Sequence, residues 1–162
     1  MLIGIMGKLG AGKTLTLSAL AYYLGKQFKT NVYANYGLKD AQRLGSLKEF
    51  WNIENGIVAL DELWIDIDAR NWKNNITLTR WALQTRKKGL IVMYTTQHIR
   101  QVDIRIRNVT DYLIYAEKKA GNFSIAILDY QYREIIKKAI IKNPEKIFKL
   151  YNTYEIIKPL GY

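Results

Sequence analysis

Two groups of residues in this 162-residue chain have the types and spacing needed for phosphate chemistry. The first is Gly7-Lys8-Leu9-Gly10-Ala11-Gly12-Lys13-Thr14, which fits G-x-x-x-x-G-K-[ST] without a mismatch and follows the apolar run Leu2-Ile3-Gly4-Ile5-Met6. Glycines let backbone N–H groups approach phosphate oxygens with no Cβ in the way. A helix starting near Lys13 adds the positive end of its dipole. Lys13 then reaches the β- and γ-phosphates, and the Thr14 hydroxyl holds Mg²⁺. The second group is Asp61-Glu62 at the end of the apolar run Ile57-Val58-Ala59-Leu60, the Walker B arrangement. Asp61 is expected to hold the water shell of Mg²⁺, and Glu62 to polarise the water that attacks the γ-phosphate. ATP and Mg²⁺ are the implied ligands.

Thr95-Thr96-Gln97 ends the apolar run after Walker B. Ligands of parallel sheets sit at the carboxyl ends of the strands, which brings Gln97 beside the phosphates. A neutral amide there donates to a γ-phosphate oxygen and accepts from water without adding charge. Arg80 and Arg86 lie in the helical stretch just upstream, with Lys87 and Lys88 after them. Phosphoryl transfer concentrates charge on the γ-phosphate, and an arginine supplied by a neighbouring subunit is one way to stabilise it. A solvated basic helix end accounts equally well for Arg86 to Lys88, because cations complement the dipole there. Arg80 is mid-helix, where that explanation fails, and it is the better finger candidate.

These groups need a scaffold of alternating strands and helices, which argues for a parallel sheet with helices on both faces. Leu15, Leu17, Leu20, Ala21 and Leu24 form the packing face of a helix after the phosphate loop. Residues 31–35 and 57–60 read as strands, and Ser46-Leu47-Lys48-Glu49 opens a short helix with a capping-box pattern. Ile76 to Lys88 reads as a helix stopped by Gly89, and Leu90 to Thr95 as the next strand. Gly121-Asn122 turns a hairpin between Tyr112–Ala116 and Phe123–Leu128. Arg133 to Lys142 suits a helix or a long strand, and Phe148 to Tyr151 reads as a docked extended segment. Trp51, Trp64, Trp72, Trp81 and the twelve tyrosines are expected in the core or at subunit contacts rather than as base-stacking platforms. Residues 64–72 read as a loop over the nucleotide or at an interface, with Asp66 and Asp68 too isolated to hold a second metal.

A chain of this length with 49% hydrophobic and 24% charged residues is expected to form one domain, residues 1–162. Its core is 1–117, followed by a hairpin and basic tail at 118–162. No apolar stretch approaches the ~20 residues that span a bilayer, no signal peptide is recognisable, cysteine is absent, and His98 is the lone histidine. A cytoplasmic location follows as the expectation. The net charge of +11 points to a polyanion, nucleic acid before an anionic membrane. Lys87, Lys88, Arg100, Arg105 and Arg107 are the candidate contacts. Lining a pore, acting as fingers and capping a helix all remain open for the last two.

The stretch from Thr79 to Gly89, the strand after it, Thr96-Gln97 and Val102–Asn108 together resemble the FtsK–HerA superfamily of DNA-pumping P-loop ATPases, over about residues 1–117. The resemblance implies a three-layer α/β, RecA-like additional-strand (ASCE) core of mainly parallel sheet, with the Gln97 strand between those of the phosphate loop and Walker B. It also implies a homo-oligomeric ring, hexameric or pentameric, with double-stranded DNA in the pore and possible capsid or assembly proteins as partners. Starting at the first strand, the chain is similar to minimal viral genome-packaging ATPases. Val32-Tyr33-Ala34-Asn35-Tyr36 and Leu150-Tyr151-Asn152-Thr153-Tyr154-Glu155 also resemble zonula-occludens-toxin-like assembly ATPases of filamentous phages. Those proteins usually carry a transmembrane segment, so packaging is the favoured expectation over extrusion. A phage or plasmid assembly ATPase that does not itself pump DNA is the alternative. A small-molecule kinase would need an arginine-rich lid and an acceptor pocket, neither of which is visible.

Overall fold

The computed structural model describes residues 1–62, 80–158 and 160. Trp64, Asp66, Asp68, Trp72 and the first four residues of the helix expected from Ile76 lie outside the described residues. Eight strands form one sheet: β1 Leu2–Met6, β2 Asn31–Ala34, β3 Gln42–Arg43, β4 Gly56–Leu60, β5 Ile91–Thr96, β6 Tyr112–Lys119, β7 Asn122–Asp129 and β8 Glu134–Ile141. Their order is β3-β2-β4-β5-β1-β6-β7-β8, parallel from β3 to β6 and antiparallel from there to β8. Strand β5 therefore lies between the phosphate-loop strand β1 and the Walker B strand β4. This is the insertion that the sequence resemblance implied.

The central strands are apolar on both faces because both are covered. On one face, Ile3, Ile5, Ile57, Ala59 and Met93 pack against Leu15, Leu17 and Ala21 of helix α1, Lys13–Phe28. Helix α1 stops at Lys29, whose left-handed conformation (φ 50°) returns its N–H to the Gly25 carbonyl. On the other face, Val58, Leu60, Val92 and Tyr94 meet Phe50, Trp81, Val102 and Ile106. The short helix from Ser46 is a 3₁₀ helix, Leu47–Asn52, in which Glu49 takes the Gly45 N–H and the Ser46 hydroxyl instead of completing a capping box. The second α-helix, α2, is helical over residues 80–84 and continues as turns to Gly89, so it ends four residues before Lys88. Helix α3 is Ile104–Asn108.

The ambiguous Arg133–Lys142 stretch is strand β8. Its isoleucines suit either state, and the open edge of β7 decides between them by offering a ladder from Asp129 to Phe123. The extended segment expected at Phe148–Tyr151 is instead the end of a one-turn helix, α4 Pro144–Phe148, begun by a proline at its first position. An isolated bridge between Tyr151 and Leu38 follows it. Among the described residues no helix is long and apolar enough to cross a membrane.

Trp81 joins α2 to this scaffold. Its ring stacks on Phe50 at 4.8 Å and its indole N–H donates to the Phe50 carbonyl at 2.9 Å. Trp81→Ala is expected to cost about 3–5 kcal/mol, with thermal unfolding about 10 °C lower, as calorimetry would show. A loss of less than ~1 kcal/mol would mean that α2 is held by other contacts.

Candidate functional site

The site lies at the carboxyl edge of the parallel strands, where β1 runs into the phosphate loop and β4 into Asp61. Gly12 is left-handed (φ 89°) and a Cβ there would sit 2.6 Å from the Phe123 ring. Gly7 has no room either, because a Cβ would collide with the Ala116 carbonyl of β6. The hairpin β6–β7 thus forms one wall of the loop, and glycine is required at both positions. Lys13 folds back over the loop, its ammonium donating to the Lys8 carbonyl at 3.2 Å. Burial lowers its pKa, while Asp61 and then Glu62 pull it up.

Thr14 on α1 meets Asp61 at the end of β4. Its hydroxyl lies 3.0 and 3.2 Å from the two carboxylate oxygens. Asp61 is 5% exposed and receives a second hydroxyl, that of Thr95 on β5, at 2.6 Å. Burial raises its pKa above the usual carboxylate range, and the Thr95 and Thr14 hydrogen bonds only partly oppose the shift. A hydroxyl beside a desolvated carboxylate is an oxygen donor set suited to a hard cation, so these two side chains fit Mg²⁺. Glu62 is half-buried, and burial followed by the Asp61 charge raises its pKa too. Both acids face a cavity of about 370 Å³ with Thr14 on the same wall. Asn152, Thr153 and Ile156 of the C-terminal segment line it as well. That segment is pinned by Glu155, which accepts the Gly37 N–H at 2.7 Å and pairs with Arg43 at 2.6 Å.

Gln97 follows β5 directly and is exposed. Since Thr96 pairs with Met6, the chain leaves the sheet at Gln97 level with Gly7, the first loop residue. Gly7 through Thr14, Asp61, Glu62 and Gln97 therefore share one edge. The arginines do not gather there. Arg80, the first described residue of α2, is exposed, whereas Arg86 pairs with Asp111 at 3.2 Å, and Asp111 also accepts the Leu2 N–H at the amino end of β1.

The five basic candidates are equally dispersed. Lys87 and Lys88 precede β5 and Arg100 follows it, separated by the roughly 20 Å length of that strand. Lys88 donates to the Trp51 carbonyl at 2.5 Å and Arg105 pairs with Asp103 at 2.8 Å. Arg107 is half-buried beside a cavity of about 550 Å³ under β6 and β7. Lysines on the antiparallel extension, Lys118, Lys119, Lys137, Lys138 and Lys142, are all exposed. Sequence reading placed them in a basic tail without singling them out as contacts, and it gave no role to Asn35, Thr95 or the C-terminal wall of the cavity. Asn35 and Thr95 stood inside recognised runs, but nothing in their neighbours' types marks them.

Because the folded pKa of Asp61 is raised, the folded state holds its proton more tightly than the unfolded chain. The stability tied to the neutral form is present at low pH and lost as pH rises through the raised value. Asp61→Asn, which stays neutral, is expected to raise the melting temperature of the nucleotide-free protein at neutral pH by about 2–4 °C, the scale of 1 kcal/mol in a chain of this size. The same change removes Mg²⁺-dependent strengthening of nucleotide binding. An unchanged or lower melting temperature would contradict the electrostatic account of this site.

The fold is that of P-loop NTPases. The N-terminal domain of zonular occludens toxin from Neisseria meningitidis superposes with a TM-score of 0.69 at 17% identity, covering 93% of this chain and 98% of that one. The DNA-packaging ATPase B204 from Sulfolobus turreted icosahedral virus gives 0.64 at 12% identity, over 85% and 95% of the two chains. The genome packaging NTPase B204 from Sulfolobus turreted icosahedral virus 2, in complex with ATP-gammaS, gives 0.63 at 12% identity over the same shares. None of the curated proteins compared matches the chain. The family model of the zonular occludens toxin (Zot) matches residues 11–156, from inside the phosphate loop to the C-terminal wall of the cavity, and the chain belongs to the Zot family.

Proposed function

We propose that this protein is an ATP hydrolase that assembles into a hexameric or pentameric ring and uses hydrolysis to move double-stranded DNA during virus assembly. The observation that carries the reading is the joining of Thr14, Asp61 and Glu62 around one cavity, with Lys13 folded over the adjoining loop. ATP lies with its phosphates along Gly7–Thr14, and Lys13 neutralises the β- and γ-oxygens. Mg²⁺, held through Thr14 and Asp61, supplies charge compensation when bound. Glu62 accepts a proton from water as the water oxygen bonds to the γ-phosphorus and the bond to the β-γ bridging oxygen breaks, leaving ADP and phosphate. Gln97 hydrogen-bonds the γ-phosphate and so registers its loss. A raised pKa keeps Glu62 closer to the pH at which a base works well. Arg80 is exposed, whereas Arg86 is paired with Asp111, so Arg80 is better suited to serve a neighbouring subunit's γ-phosphate.

Transport is supported by the charge of +11 and by the shared fold with DNA-packaging and genome-packaging NTPases. Family membership favours a second reading, a phage or plasmid assembly ATPase that does not itself pump DNA, because Zot-like proteins are the phage-assembly group that the sequence resembles. DNA distinguishes the two. In the first, long duplex accelerates turnover more than short oligonucleotides of equal mass. Its binding then weakens log-linearly with salt, with a slope of several phosphate contacts. Hydrolysis indifferent to DNA of every length would sink the motor and leave the assembly ATPase.

The chemistry is tested by mutation. Lys13→Ala is expected to abolish nucleotide binding. Glu62→Gln should keep binding and lose turnover by about 10²-fold or more, read by steady-state phosphate release. Arg80→Ala should lose about 10³-fold while retaining affinity, with partial recovery when mixed with Glu62→Gln, since intact halves then meet at some interfaces. Concentration-independent turnover with no recovery would argue for a monomeric enzyme.

A further inference from the structure

The dipeptide that carries the catalytic acids is gripped from both sides by side chains of the flanking strands. On the β2 side, the buried amide of Asn35 makes a paired contact with the backbone of a single residue. Its oxygen accepts the Asp61 N–H at 2.8 Å and its nitrogen donates to the Asp61 carbonyl at 2.9 Å. Strand β2 ends at Ala34, and the Asn35 N–H still reaches the Ala59 carbonyl at 3.3 Å. The Asn35 side chain thus extends the β2–β4 ladder past the end of both strands. On the β5 side, the Thr95 hydroxyl gives its one proton to the Asp61 carboxylate at 2.6 Å and accepts the Glu62 N–H at 2.7 Å. Asn35 is 3% exposed and Thr95 fully buried, so neither has water as an alternative partner.

Glu62, between these grips and the cavity, holds a left-handed backbone conformation at φ 53°. A non-glycine residue adopts it at a cost and keeps it only where the surroundings demand it. Here the demand comes from two side chains that fix the peptide before Glu62 and the N–H of Glu62 itself. The strained residue is the one whose carboxylate has to face the γ-phosphate. We propose that Asn35 and Thr95 are positioning residues that hold the Asp61–Glu62 backbone in the conformation from which Glu62 reaches the attacking water. The inference rests on Glu62 acting as the base. Gln97 follows β5 directly, two residues beyond Thr95, so the strand that holds the Glu62 N–H also leads to the amide assigned to the γ-phosphate.

Thr95→Val keeps the shape and removes the hydroxyl. In the full-length protein, kcat for ATP is expected to fall by about 10²-fold, the cost of a misplacement on the order of 1 Å. Affinity for ATP-gammaS with Mg²⁺, read by fluorescence titration, should stay within about threefold, since Lys13 and the loop are untouched. Thr95→Ser, which restores the hydroxyl, should recover most of the rate. Asn35→Asp keeps the acceptor for the Asp61 N–H but sets a carboxylate oxygen against the Asp61 carbonyl, and should also lower kcat more than affinity. The deciding comparison is made in a Glu62→Gln background, where Thr95→Val should cause no further loss because both changes remove the same positioned base. Full activity in Thr95→Val beside an inactive Glu62→Gln overturns the clamp alone, as does a loss that adds fully to that of Glu62→Gln. Wild-type turnover in Glu62→Gln overturns the catalytic reading of Glu62 and the clamp with it.

Discussion

The contact of the Thr14 hydroxyl with the Asp61 carboxylate is the interaction on which the rest of the architecture turns. It joins the first turn of α1 to the end of β4, two elements 47 residues apart in sequence. Helix α1 follows β1, and β1 is not a neighbour of β4, because β5 separates them. The contact therefore forms only once the parallel strands have paired in register. Everything that places these atoms, from the packing of Leu15 and Leu17 on Ile5 and Ile57 to the stacking of Phe50 on Trp81, serves that closure.

The same contact carries an electrostatic cost. A carboxylate that is 5% exposed is poorly solvated, and hydroxyl donors from Thr14 and Thr95 recover only part of what water supplied. Lys13 is held nearby, half-desolvated itself, with its ammonium on a backbone carbonyl rather than on either acid. The cluster is thus short of positive charge at its centre.

Past β6 the sheet becomes antiparallel, and the extension shapes the site from outside. Phe123 of β7 presses on Gly12 and meets Phe148 of α4 edge-on at 6.0 Å. Phe148 contacts Tyr151 at 6.4 Å, and Tyr151 lies edge-on to Tyr36 at 6.4 Å. Tyr36 shares a 3.0 Å hydrogen bond with Ser18 on α1, one turn beyond Thr14. This chain of aromatic rings runs from the hairpin around the start of α1 to the cavity. It explains how the last part of the chain comes to line the space beside Asp61 and Glu62.

The phosphate loop and the acidic pair were legible in the sequence because their chemistry requires particular residue types at short, contiguous spacing. The core strands were legible because apolar runs bounded by Gly7, Asn55-Gly56 and Gly89 have few other uses. Where a choice rested on a partner distant in sequence, local pattern did not decide. Arg133–Lys142 became strand β8 because β7 offered an edge, and Phe148 closed a helical turn because Pro144 began one. Arg86 and Lys88 read as free basic groups, yet folding gave one to Asp111 and the other to the Trp51 carbonyl. Asn35 and Thr95 have ordinary types at unremarkable positions. Only the parallel pairing of β2, β4 and β5 brings their side chains to either side of one peptide, and hydrogen bonds reaching 26 and 34 residues along the chain leave no periodic trace in it.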